Sequence, residues 1–251
     1  MRPPPSGLRD GLGDESSKRP LVDWVFDGVA DRYDLGNDLM SLGWHAKWKE
    51  RLILLAGPRP GERALDLATG TGDVAFAVAR LTAPGEVIGL DVSPAMLAHA
   101  RRKQPAELNN LTFVEGDATA LPYPDASFDL VTIGYAGRGF PSWERVLSEV
   151  YRVLRPGGRF VNLDFARPPN RTWDRLYRGW MTVSGAVLGT VLHGHPKIYV
   201  YIPESMRAYP GQRWLDARMK DQGFVTRLIE TRACLMAFNI GIKPPHPAPV
   251  G

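Results

Sequence analysis

Residues 65–73, Leu-Asp-Leu-Ala-Thr-Gly-Thr-Gly-Asp, carry an apolar run into a turn with almost no side-chain bulk, and a helical pattern starts at about Asp73. A strand that ends in small residues and feeds a helix sets backbone N–H groups beside any polar group bound there. Val-Ile-Gly-Leu-Asp at 87–91 brings a second apolar run to an acidic end. Asp91 falls about twenty residues past the first strand, where a carboxylate takes ribose hydroxyls. The pairing predicts an adenosyl-nucleoside site. A Gly-x-Gly turn alone serves equally as a bland strand-to-helix connection, so the surrounding chain decides.

That chain repeats the theme. A third apolar run, Leu111 to Val114, closes on Glu115-Gly116-Asp117-Ala118, and Asp117 is placed to accept a hydrogen bond from an exocyclic adenine amine. A fourth, Phe128 to Ile133, ends at Gly134, and Arg152 to Phe165 reads as a helix end, a Pro-Gly-Gly turn and a fifth strand. In this pattern the chain resembles the class I S-adenosylmethionine-dependent methyltransferases. The resemblance implies an α/β fold: a doubly wound, mostly parallel, seven-stranded Rossmann-like sheet with amino-terminal helices and an inserted cap. It implies S-adenosyl-L-methionine in the crevice at the strands' carboxyl ends. Asp66, Gly70, Thr71 and Gly72 are then expected at the turn, with Thr71 near the methionine moiety, and Asp91, Val92 and Met96 after the second strand. Asp117 and Ala118 fall around adenine and Gly134 beneath the sulfonium. Ala68 stands where the usual motif has its first glycine.

Composition bounds the answer without naming it. At 251 residues and 44% apolar content the chain supports one sizeable core. No stretch approaches ~20 uninterrupted apolar residues and no apolar targeting segment leads the chain, so a cytoplasmic protein is expected. Cys234 is the only cysteine, in an apolar strand-like run, which excludes an intramolecular disulfide and a cysteine metal cluster and predicts a buried structural thiol. His193-Gly194-His195 lacks a carboxylate or cysteine to complete a metal set, so no metal is expected. Lys and Arg exceed Asp and Glu by 31 to 27, dispersed rather than striped, which argues against nucleic acid and is compatible with contact to anionic lipid at the inner face of a membrane.

Residues 1–18 read as a disordered tail, 19–243 as one domain and 244–251 as a short flexible tail. Within the domain, 22–56 read as a helical lead-in, 63–165 as the cofactor core and 166–210 as an inserted cap whose aliphatic stripe, Trp180, Met181, Val183, Val187, Leu188, Val191 and Leu192, fits a helix core or a lipid contact. A helix at about 211–222 and two strands, Val225 to Thr231 and Ala233 to Asn239, finish the sheet.

Phe26-Asp27-Gly28-Val29-Ala30-Asp31-Arg32-Tyr33-Asp34, then Asn37-Asp38-Leu39-Met40-Ser41, His45 and Trp48-Lys49, closely resemble the amino-terminal signature of the ubiE/COQ5 quinone C-methyltransferases. Arg152 to Gly158 resembles their second signature, and the likeness continues through Tyr201-Ile202-Pro203-Glu204-Ser205 and Pro210-Gly211-Gln212 to Gly241-Ile242-Lys243, covering about residues 22–243. It implies methyl transfer to a ring carbon of a polyprenyl quinol, demethylmenaquinol in menaquinone producers or a methoxy-polyprenyl-benzoquinol in ubiquinone producers. A homodimer is compatible with it. The chain departs from the family at Gly36, Gly139, Asp164, Ala166 and Asn239, where substrate is expected. The sulfonium methyl is already activated, so the protein must align it with an aromatic carbon and exclude water. Deprotonating a neighbouring hydroxyl makes that carbon more nucleophilic, and Asp38 or His45 is the expected proton acceptor. Arg138, permanently charged, is expected to orient a water and stabilise the phenolate. Tyr33, Asn37 and Tyr201 are expected at the substrate. A methyltransferase with another acceptor and a non-catalytic cofactor-binding scaffold are the competing classes.

Overall fold

The computed structural model describes residues 20–21, 33–41 and 43–245. The expectations for residues 1–18, for 22–32 of the lead-in and its signature, and for 246–251 lie outside these residues.

A single sheet organises the chain. β1 (Ala64–Leu67) and β2 (Val87–Asp91) are buried along their whole length, as parallel strands covered on both faces must be. β3 (Leu111–Glu115), β4 (Phe128–Gly134), β5 (Leu154–Phe165), β6 (Val225–Glu230) and β7 (Met236–Ile242) complete the order β3-β2-β1-β4-β5-β7-β6. The first five strands pair in parallel, while β7 runs antiparallel to β5 and β6. The chain winds outward from β1 through β2 to β3, then returns to β4 on the other side of β1. The crevice between β1 and β4 is therefore the topological switch point, where open α/β sheets bind ligands.

Alternation along the strands builds a core on each face. Leu65, Leu67, Val131 and Ile133 turn to one side, against α5 (Trp143–Val153) and α8 (Gln212–Asp221). Ala64, Leu130, Val161 and Leu163 turn to the other, against α2 (Trp44–Ala56), α3 (Asp73–Thr82) and α4 (Pro94–Lys103). α1 (Tyr33–Ser41) precedes α2. The segment expected as a cap holds two helices packed on each other, α6 (Arg171–His193) and α7 (Lys197–Ala208). Asn170 starts α6 by accepting from the N–H groups of Thr172 and Trp173, and Gly194, left-handed at φ 67°, ends it. Gly185 lets α7 approach closely, since a Cβ there would stand 3.2 Å from the Tyr199 backbone, and Gly189 makes room for the link between the helices, where a Cβ would stand 2.7 Å from the His195 carbonyl oxygen.

Two local readings change. Arg155-Pro156-Gly157-Gly158, read as a turn before the fifth strand, is part of β5 itself, with the register against β4 shifting between Phe128 and Leu130 and Gly157 left-handed at φ 81°. The last strand begins at Met236 rather than Ala233, because a 3-10 turn, Arg232–Cys234, intervenes. Cys234 therefore sits in a turn at φ 51°, half-buried, with its thiol accepting from Gln212 Nε2 at 3.4 Å. Burial, together with Glu230, pushes that thiol up to about 11, which keeps it protonated and unreactive.

Candidate cofactor and acceptor site

Local backbone demands shape the first part of the site. Asp66 on β1 stands in register with Thr132 on β4, and the Thr132 hydroxyl donates to Asp66 Oδ1 at 2.6 Å. The Thr69 hydroxyl donates to Oδ2 at 2.6 Å. Burial raises the Asp66 carboxyl to about 6, against the pull of these two hydroxyls and Lys49. Asp66 thereby ties the turn to the neighbouring strand. Ala68, Gly70 and Gly72 follow, all left-handed at φ 51°, 56° and 87°. A Cβ on Gly70 would meet nothing within 4 Å, so its role is to leave the crevice open, whereas one on Gly72 would come within 2.8 Å of the Phe113 ring. Ala68 takes a conformation costing an L-residue roughly 1–2 kcal/mol, which is why a glycine is usual there.

Asp91 closes the turn from β2. Its Oδ2 accepts from the Gly70 N–H at 2.7 Å and its Oδ1 from the Ser93 N–H at 2.9 Å, while Ser93 caps α4. Asp117 Oδ1 accepts from the N–H and hydroxyl of Thr119, at 2.8 and 2.7 Å. Around these groups lies a cleft of about 890 Å³, open mouth included. Gly70, Asp91, Val92, Met96, Asp117, Ala118 and Gly134 all line it, and Leu90, Tyr135 and Phe140 add apolar wall that sequence reasoning missed. Gly72 does not; it shapes the turn instead.

A smaller hollow of about 360 Å³ sits on the other side of the β1 turn and shares Ala68, Gly70, Gly134 and Tyr135 with the cleft. Asp66 and Thr71 line it, together with His45, Lys49 and Asp73. Its lining is evenly divided between polar and apolar surface, where that of the cleft is mostly apolar. Lys49 and Lys103 clamp the Asp73 carboxylate at 2.7 and 2.8 Å. Although burial opposes ionisation, the two ammonium groups hold this carboxyl down at about 2. His45 is buried on α2, stacks on Tyr135 with ring centroids 5.1 Å apart, and presents Nδ1 to Asp38 Oδ1 at 3.9 Å. The structure thus brings together both expected proton acceptors. Tyr135, at φ 65°, is the second non-glycine residue of the site in the left-handed region, where a bulky side chain is held only by its surroundings. No spacing in the sequence announces it; an aromatic directly after the strand-ending glycine is the sole trace.

Arg138 lies elsewhere. It is 6% exposed, with Nε donating to Asp164 Oδ1 at 2.7 Å, Nη1 to the Ser205 hydroxyl at 2.6 Å and its guanidinium 4.7 Å from the Phe165 ring centroid. It joins the end of β4 to β5 and α7, while its neighbour Gly139 lines the cleft. Tyr201 is buried on α7 and lines neither hollow. Tyr33 and Asn37 stand on α1, their side chains outside the described structure. Gly36 explains one departure from the family: a Cβ there would fall 1.6 Å from the Tyr199 hydroxyl, so α7 fills the space of a side chain. Among the described residues no three His, Cys, Asp or Glu side chains gather as a metal set.

The site suits an adenosyl sulfonium amino acid. An acidic residue borders an apolar cleft at the switch point, and α3 starts at Gly72, which offers no side-chain cap to the N–H groups of the first turn. The ubiE/COQ5 methyltransferase family model matches residues 13–243. The demethylmenaquinone methyltransferase of Thermus thermophilus is 41% identical over 220 residues, 88% of this chain and 100% of that protein. The ubiquinone/menaquinone biosynthesis C-methyltransferase UbiE of Brucella anthropi is 40% identical, over 84% of this chain and 82% of that one. Among solved structures, an S-adenosylmethionine-dependent methyltransferase from Thermotoga maritima superposes with a TM-score of 0.61 at 18% identity, covering 88% of this chain and 99% of that one, which shows the shared fold. The chain belongs to the ubiE/COQ5 methyltransferase family.

Proposed function

We propose that this protein transfers the methyl group of S-adenosylmethionine to a ring carbon of a polyprenyl quinol, with demethylmenaquinol as acceptor, in respiratory quinone biosynthesis. The observation that carries this reading is the pair of hollows meeting at Gly70, Gly134 and Tyr135, one apolar and adenosyl-sized, the other holding a histidine beside a carboxylate. When bound, S-adenosylmethionine supplies a methyl group already activated by the sulfonium.

The remaining work falls to the protein. Asp91 takes the ribose hydroxyls, Asp117 and Ala118 bound adenine, Val92 and Met96 supply apolar contact, and Thr71 with the start of α3 receives the methionine end. His45 removes the proton of the acceptor hydroxyl through Nε2, with the Asp38 carboxylate behind Nδ1 stabilising the imidazolium and Tyr135 fixing the ring plane. Arg138 is a positioning residue: it holds α7 and the loop after β4 so that the cleft wall and the acceptor keep their geometry. A polyprenyl substrate also calls for contact with a lipid surface. Among the described residues no helix is long and apolar enough to cross a membrane, which directs that contact to the protein's exterior.

Methyl-labelled S-adenosylmethionine incubated with demethylmenaquinol, and separately with a methoxy-polyprenyl-benzoquinol, tests the reading. Label is expected in menaquinol. Label in neither quinol overturns the function, and label confined to the benzoquinol overturns the choice of ring.

A further inference from the structure

α6 has two faces of opposite use. Met181, Gly185 and Gly189 are buried, and Leu188 and Leu192 pack with Ile198 and Tyr199 of α7 against Met96, which lines the cofactor cleft. The other face carries Trp173, Leu176, Trp180, Val183, Val187 and Val191, spaced by three or four residues, and each is between 41% and 73% exposed. Such spacing keeps them on one side of the helix for roughly 27 Å. Single exposed apolar residues need no explanation, but a continuous ridge of six marks a contact surface.

Three observations choose the occupant. From Gly179 to Leu192 the helix carries no charged residue. Ser184 and Thr190, which border the ridge, turn their hydroxyls back to the carbonyls of Trp180 and Ala186 at 2.8 Å, so the polar groups nearest the ridge find partners within the helix itself. At the amino-terminal end charge and aromatics gather: Arg171 and Arg175 are exposed, Trp173, Tyr177 and Trp180 stack in sequence, and Asp174, the helix's one acidic residue, is buried and paired with Arg178. Aromatic rings beside arginines favour the headgroup layer, and a charge-free aliphatic stretch beyond them favours the acyl boundary.

We infer that α6 is the membrane-docking element, lying in the surface of an anionic bilayer with Val183, Val187 and Val191 inserted and Arg171 and Arg175 at the phosphates. One helix then links lipid on its outer face to Met96 and the cofactor cleft through its inner face. The inference gives a location to the lipid contact in the function proposed above and so rests on that reading, yet vesicle binding needs no quinol, so the two fail separately.

Co-sedimentation of the full chain with vesicles of phosphatidylcholine and phosphatidylglycerol is the test. The unsubstituted chain is expected to bind, more weakly with phosphatidylcholine alone or at high salt. The Val183→Glu/Val187→Glu double variant should lose at least roughly tenfold in partitioning, because burying either valine is worth about that factor. Its methyl transfer to a tail-less quinol should be unchanged, which shows that the variant is folded. Absence of vesicle binding, or equal binding by the double variant, overturns the inference. So does a concentration-dependent dimer in sedimentation velocity that the double variant dissolves without any vesicle binding, since the ridge would then belong to a second copy of the chain.

Discussion

The two hollows share a wall at Ala68, Gly70, Gly134 and Tyr135 and are otherwise built by different means. The cofactor cleft is made by strand ends and tight turns: Asp91 holds the Gly70 N–H, and Asp117 holds Thr119 two residues on. Its groups are fixed by backbone conformation. The polar hollow is assembled from afar. His45 and Lys49 arrive on α2, with Asp38 on α1 behind His45 and Asp73 24 residues from Lys49. The loop carrying Arg138, on the cleft's wall, is likewise held from afar, pinned to Asp164 and Ser205, 26 and 67 residues away. Where the turn fixes geometry, a side chain can change with little effect on its neighbours' positions; where long-range contacts fix it, one change moves several groups.

The sharpest way to break that contrast is His45→Ala. A positioned general base contributes typically 10²- to 10⁴-fold, so kcat should fall by about that factor at saturating S-adenosylmethionine. Cofactor affinity measured by calorimetry should hardly change. If kcat and cofactor affinity fell together, His45 would be holding the methionine end that Thr71 receives in the same hollow rather than serving the acceptor.

Arg138 comes next. Replacing one partner of a buried ion pair typically costs about 3–5 kcal/mol, because the other charge is left without compensation. Arg138→Met is therefore expected to lower the unfolding free energy by that amount in denaturant titration. Arg138→Lys, which keeps the charge but loses the planar fork, should lose less stability and show a raised KM for the quinol with kcat nearly kept. Normal stability with a collapsed kcat in either variant would move Arg138 from positioning the wall to acting on the acceptor.

The same contrast explains what the chain discloses when read as letters. The order of strands and helices and the ring of cofactor-facing residues follow from period, glycine and acidic strand ends, which are local signals. Tyr135 and the Lys49–Asp73–Lys103 clamp do not, because partners 24 and 30 residues apart meet only once the sheet has formed. Periodicity placed Val183, Val187 and Leu188 on one helix but could not say which side faces solvent; packing against α7 decides that Leu188 turns in. Pro156-Gly157-Gly158 reads as a turn by composition and is carried within β5 as a bulge between the pairs Phe128–Leu154 and Leu130–Arg159, tied to Lys243 just past β7. The registers of both pairs are tertiary facts.

The smallest of the expected effects compares two carboxylates seven residues apart, on either side of the glycine turn. Asp66 is raised by burial from 3.8 to about 6, so the folded state holds its proton more tightly than the unfolded chain does. Its contribution is therefore most favourable below about pH 4 and is lost as pH rises to about 6, a change on the order of 3 kcal/mol. Asp73, held down at about 2 by Lys49 and Lys103, has the opposite sign: its contribution is present above about pH 4 and disappears as pH falls towards 2. Asp66→Asn keeps the shape of the group and removes its titration. Denaturant titrations should find the variant gaining on the unsubstituted chain between pH 4 and pH 7, by up to about that amount, while an Asp73→Asn variant shows no such gain. Because Asp66 orders the turn through Thr69 and Thr132, Asp66→Asn should retain cofactor binding if one hydroxyl re-pairs with the amide oxygen. A flat difference in stability across this pH range would mean that Asp66 is solvated enough to ionise normally, and burial would no longer set it apart from Asp73, the other carboxylate of the same hollow.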